Sequence, residues 1–109
     1  RYNNPPVYIT ENGAAFYDPP VAENGQIIDP LRQSYMRSHI IAIHKAISDG
    51  CDVRGYFIWS LMDNLEWALG FSKRFGLVHI NFETLERTPK ESAKLYQQII
   101  ESKGANLNK

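Results

Sequence analysis

Apolar residues along the chain fall into runs whose periods differ. Val7 to Thr10 is β-branched and aromatic, with Pro5-Pro6 ahead of it and Asn12-Gly13 behind, which predicts a short strand ending in a turn. Leu31, Tyr35, Ile40, Ile43 and Ile47 recur at spacings of three to five, which predicts a helix. Asp29 is its expected N-cap, Pro30 its first residue and Gly50 its stop. The apolar stripe is expected to pack on a sheet, leaving Arg32, Arg37 and Lys45 to face water. Val53 to Ser60 is almost continuously apolar and aromatic, as expected of a strand covered on both faces. Gly76 to Phe82 predicts a further short extended segment before a turn at Glu83-Thr84. Thr88-Pro89-Lys90-Glu91 combines an N-cap, a first-turn proline and a capping-box glutamate. The helix it opens carries Ala93, Tyr96, Ile99 and Ile100 on one face and ends near Gly104, and the tail 105–109 is expected to fray.

Strand, helix, strand, helix without internal repeats is the pattern of two consecutive βα units, hence the α/β class. Two long irregular stretches, 13–28 and 61–75, interrupt it. Loops of that length in a compact α/β unit are usually rims or lids of a site.

Composition narrows the function classes. Twelve basic residues balance twelve acidic ones in 109, so no net field draws the chain to nucleic acid or to an anionic membrane, and neither partner is expected. No run approaches the roughly 18 apolar residues of a membrane span, and Arg1-Tyr2-Asn3-Asn4 has no signal-peptide pattern, so a cytoplasmic location is the expectation. Cys51 has no second cysteine to pair with and is expected to be buried as a small apolar residue. His39, His44 and His79 lack metal-ligand spacing and are expected to be solvated or satisfied in the core, with no metal and no cofactor.

The candidate chemistry lies where the strands end. Glu11 is delivered to the carboxyl end of the first strand, where α/β folds keep their reactive groups. Glu66, on the loop after the second strand, would face the same rim. From the residues alone these two acids could be a catalytic pair of carboxyl groups. Trp59, at the end of an apolar strand, reads equally as core or as a platform for a ligand. Asp63 and Asn64 are expected to shape their loop by hydrogen bonding.

Three linked blocks carry a resemblance: Tyr8-Ile9-Thr10-Glu11-Asn12-Gly13; Gly55 to Ser60, continuing through Leu61 to Ala68; and Gly70 to Leu77. In this order they resemble the family 1 glycoside hydrolases, the β-glucosidase family, from Arg1 to about Ser102. The resemblance is to the last quarter of such an enzyme. It implies the seventh and eighth units of a (β/α)8 TIM barrel, residues 1–50 and 51–104 with the tail 105–109, incomplete on its own. It further implies that Glu11 is the nucleophile of a retaining β-glucosidase, and that Glu66 accepts hydrogen bonds from sugar hydroxyls instead of completing a catalytic pair. Trp59 becomes the platform under the ring, Trp67 an indole N–H donor to a hydroxyl, and Phe75 a wall of the same pocket.

The Asn-Glu-Pro motif that carries the family's acid/base does not occur in this sequence. The N-terminal remainder of the same enzyme is therefore an implied partner. The implied substrate is a terminal β-glucoside or a short β-linked oligosaccharide, with galactosides and fucosides as relatives. Lys73-Arg74 raises the 6-phospho branch of the family, but the charge of Glu66 would repel a phosphate. The rival reading is a non-catalytic quarter-barrel module that self-assembles or binds sugar weakly. Open sheet edges make a homo-oligomer or poor solubility the expectation for the chain alone, and the lack of a second carboxyl group positioned as acid makes no hydrolysis the expectation.

Overall fold

A computed structural model describes residues 2–108. Strand β1 is Val7–Asn12, helix α1 Pro30–Ser48 and strand β2 Val53–Ile58. Short strands β3, Val78–Ile80, and β4, Arg87–Pro89, precede helix α2, Glu91–Glu101. Single 3-10 turns cover Trp67–Leu69 and Ala105–Asn108. β1 and β2 lie side by side and parallel, joined through α1, so both point their carboxyl ends at one rim. β3 and β4 form a separate antiparallel pair.

The hydrophobic centre is small. Met36, Leu77, Leu95 and Ile99 are buried together, and Ile40, Ile58, Ala93, Tyr96 and Leu107 pack against them. Apolar side chains on the two parallel strands stay open, with Tyr8 and Phe57 each 58% exposed, so within this chain β2 is not covered on both faces as its composition led us to expect.

Helix α1 turns a different face inward from the one its apolar stripe predicts. Arg32 and Met36, one turn apart, are buried, while Leu31 and Ile47 are largely exposed. A charged residue can take the inward position because Asp18 and Asp29 meet its guanidinium, at 2.8 and 2.7 Å. Asp29 stands at the N-cap position as predicted, but its carboxylate serves Arg32 and the Ser92 N–H instead of capping α1.

Other expectations also shift. Thr88 and Pro89 extend in β4 opposite His79 and Val78, and the helix starts two residues later with Lys90 at its N-cap. Proline is tolerated there because this edge position needs no N–H donor. On α2 it is Ser92, Leu95 and Ile99 that are buried, and Ile100 points out. Cys51 is exposed, since the chain turns at the surface between α1 and β2. Residues 105–108 are wound into a turn that seats Leu107 on the core, and Lys109 lies outside the described residues. His79 is buried with Nε2 2.8 Å from the Pro19 carbonyl oxygen, whereas His44 is exposed. No helix among the described residues is long and apolar enough to cross a membrane.

Candidate active site

An open cleft of about 430 Å³ sits at the carboxyl ends of β1 and β2. Glu11, Trp59, Glu66, Trp67 and Phe75, the five residues singled out in the sequence, all line it. Asn12, Gly13 and Tyr35 complete the wall, and sequence reasoning missed them. Asn12-Gly13 was read only as a turn, and Tyr35 only as part of a helical stripe. A hydroxyl on that stripe, one turn from an apolar neighbour, was the available signal.

Close contact between the strand ends builds the floor. The Trp59 N–H donates to the Asn12 carbonyl at 2.9 Å. A Cβ at position 13 would run into the Trp59 carbonyl, so the approach requires glycine. The peptide between Trp59 and Ser60 is cis. Trp59 is 37% exposed and Trp67 90% exposed, both unusual for indoles unless a ligand or another segment covers them. Trp67 also holds a left-handed backbone (φ 44°), a conformation that bulky residues avoid and that clusters at functional sites.

Polar ties behind the cleft fix the loop that carries Glu66 and Trp67. Buried Asp63 accepts from the Gly76 N–H at 3.0 Å, from Arg74 Nη1 at 2.6 Å and from Lys90 Nζ at 2.8 Å. Asn64 Nδ2 donates to Ser60 Oγ and to the Met62 carbonyl. Asp63 and Asn64 thus shape the loop, as read from the sequence. Lys90 Nζ also reaches Asp18 at 2.7 Å, and Asp18 accepts twice from Arg32, so the loop after β1 and the loop after β2 share one buried ion network. Burial works against the charges of Asp63 and Arg32. It is outweighed for Asp63 by Lys90 and then Arg74, which leave its pKa below the usual carboxylate value, and for Arg32 by Asp18 and Asp29, which leave its pKa raised.

Arg74 donates from Nη1 to Asp63 and to the Ile80 carbonyl, and its guanidinium carbon lies 4.5 Å from the Phe82 ring centroid. Lys73 is exposed and is not part of the cleft wall. Neither cation lines the cleft. A second groove, of about 460 Å³, runs between α1 and the C-terminal turn. Its walls are mainly Ile40, Ile43, Ile99 and Leu107, with no carboxylate, so it offers no comparable chemistry.

An exposed carboxylate, a second carboxylate on the facing loop and two indoles form a set suited to a polyhydroxylated ring. Its apolar face can be desolvated on an indole while its hydroxyls find charged acceptors. The chain belongs to glycosyl hydrolase family 1, whose family model matches residues 1–105. It is 47% identical over 103 residues to β-glucosidase A of Acetivibrio thermocellus, which covers 94% of this chain and 23% of that protein. A 6-phospho-β-galactosidase of Staphylococcus aureus is 46% identical over 97 residues, 89% of this chain and 21% of its own length. The family 1 β-glucosidase structure from Thermotoga maritima superposes with a TM-score of 0.91 at 48% identity, over 96% of this chain and 24% of that one. The chain thus spans under a quarter of the relatives it matches, and it is a partial piece of a glycoside hydrolase.

Proposed function

We propose that this chain is the nucleophile-bearing C-terminal segment of a retaining β-glucosidase, formed by the seventh and eighth βα units of its barrel. One Glu11 carboxylate oxygen attacks the anomeric carbon of a terminal β-glucoside, and the bond to the leaving oxygen breaks. An acid supplied by the upstream part of the enzyme protonates that oxygen. Water then cleaves the glycosyl ester, with the same upstream group acting as base. Glu66 accepts hydrogen bonds from the sugar hydroxyls, Trp59 supports the ring, Trp67 donates its indole N–H, and Phe75 closes one side.

The observation that carries this reading is the convergence of Glu11, Glu66 and the three aromatic residues on one cleft, though helix α1 and strand β2 separate Glu11 from the others in sequence. A non-phosphorylated sugar is favoured over a 6-phospho sugar because the cleft wall includes Glu66, whose charge opposes a phosphate, and neither Lys73 nor Arg74 lines it. Treating the enzyme completed by its upstream portion with a 2-deoxy-2-fluoro β-glucoside, then mapping peptides, tests the assignment. Label is expected on Glu11. Label on Glu66, or inactivation with no label in this segment, overturns it.

Glu66→Gln in the same enzyme keeps the nucleophile and removes a charged acceptor. Losing such a hydrogen bond costs about 1.5–3 kcal/mol, so kcat/KM for an aryl β-glucoside should fall by roughly one to two powers of ten. The variant should still form the trapped ester. Unchanged kcat/KM would remove Glu66 from the sugar's contacts.

A further inference from the structure

We propose that Tyr35 is a positioning residue for Glu11, acting through the two residues that follow it; this rests on the reading of Glu11 as nucleophile. The parallel ladder alone does not hold Glu11 in place. Ile9 pairs with Tyr56 and Asn12 with Ile58, so Thr10 and Glu11 together lie opposite Phe57, an irregularity of the bulge type. A bulge re-aims a side chain and leaves part of the strand unpaired. Within this chain the described hydrogen bonds next to Glu11 fall on Asn12 and Gly13, the two residues that follow it.

That backbone is gripped by a chain of side-chain hydrogen bonds. Tyr56 Oη donates to Asn12 Oδ1 at 2.9 Å, Asn12 Nδ2 donates to Tyr35 Oη at 3.4 Å, and Tyr35 Oη donates to the Gly13 carbonyl at 3.3 Å. Burial, with Tyr96 and Tyr35 nearby, pushes the Tyr56 hydroxyl up to about 12, so it remains a protonated donor at any working pH. The Tyr35 ring is itself held, stacked on His39 at 3.9 Å between centroids and met edge-on by Phe16 at 6.1 Å. Helix α1 thereby reaches across to the end of β1 and fixes the turn immediately after the reactive carboxylate. Small displacements of a reacting group are costly in rate.

Tyr35→Phe keeps the ring and deletes the hydroxyl that joins Asn12 to Gly13. In the completed enzyme the second-order rate of inactivation by the 2-deoxy-2-fluoro glucoside, which isolates ester formation, is expected to fall about tenfold, with kcat falling in parallel. KM is expected to stay within about twofold, because Glu66, Trp59, Trp67 and Phe75, the residues assigned to the sugar, are unchanged. A purely structural role would instead lower the melting temperature and leave the inactivation rate of the folded fraction unchanged, which would overturn the proposal. Tyr56→Phe cuts the far end of the same chain and should slow inactivation in the same direction. If Tyr35→Phe does not fold, the Tyr56→Phe rate decides, and a parental value refutes the clamp. Peptide mapping keeps the two ideas apart: label on Glu11 with parental rates sinks the clamp alone, whereas label elsewhere sinks the nucleophile assignment.

Discussion

Glu11→Gly, made in the completed enzyme, is expected to reduce aryl β-glucoside turnover by roughly 10⁴-fold or more, far beyond the loss at Glu66. Removing a covalent nucleophile deletes the route by which one difficult displacement is split into two. Removing a hydrogen-bond acceptor only weakens a contact. The variant also leaves open space at the floor of the cleft, where Glu11 is exposed to solvent. Azide can enter that space and attack the anomeric carbon from the face the carboxylate used. The bond between the anomeric carbon and the aryloxide oxygen breaks, the aryloxide leaves, and the product is the α-glucosyl azide. Adding azide should therefore restore turnover of a substrate with a good leaving group, and the product's anomeric configuration should be inverted. Rescue of a Glu66→Gly variant in place of Glu11→Gly would exchange the two roles.

Much of the cleft was legible because its chemistry is local in sequence. Glu11 ends a β-branched run and precedes Asn12-Gly13, so strand, acid and turn can be read within six residues. Trp59 and Glu66 could be placed in the same way at the end of β2, whereas Trp67 and Phe75 entered only through the resemblance to the family. What escaped depends on partners that local pattern does not encode. Arg32 and Lys90 read as solvent-facing or as helix-start residues, yet both are buried, and Lys90 meets Asp18 from 72 positions away. Hydropathy assigns a charge outward by default, and only the approach of an opposite charge reverses that choice. β4 was missed for a different reason. A three-residue strand ending in Thr-Pro presents the same letters as a helix N-terminus, and the β3 pairing decides between them. Tyr35 shows both limits at once, since its position on α1 was legible and its reach to Gly13 was not.

The buried ion network gives the largest expected stability effect. Lys90 is fully buried and bonds Asp18 and Asp63, which hang from the two different rim loops. Lys90→Met nearly conserves volume but leaves Asp18, Asp29 and Asp63 facing only Arg32 and Arg74, one uncompensated buried charge. Breaking such a network from one side costs about 3–5 kcal/mol. Lys45→Met, at a pair with Asp49 whose lysine is 74% exposed, should cost under about 1 kcal/mol, because solvent already screens it. Urea unfolding of the completed enzyme compares the two. A difference of less than about 1 kcal/mol between them would show that the network contributes nothing beyond its exposed counterpart. A pH series sharpens the test. Asp63 has its folded pKa below the usual 3.8, against the effect of burial and chiefly through Lys90. Its contribution is therefore complete above about pH 3.8 and is lost as pH falls through the lowered folded value. Without Lys90 the desolvation of Asp63 is opposed only by Arg74 and the backbone N–H groups. Protonation then begins at a higher pH, so the acid-unfolding midpoint of Lys90→Met should move upward, and an unmoved midpoint would place the depression elsewhere than in the Lys90 contact.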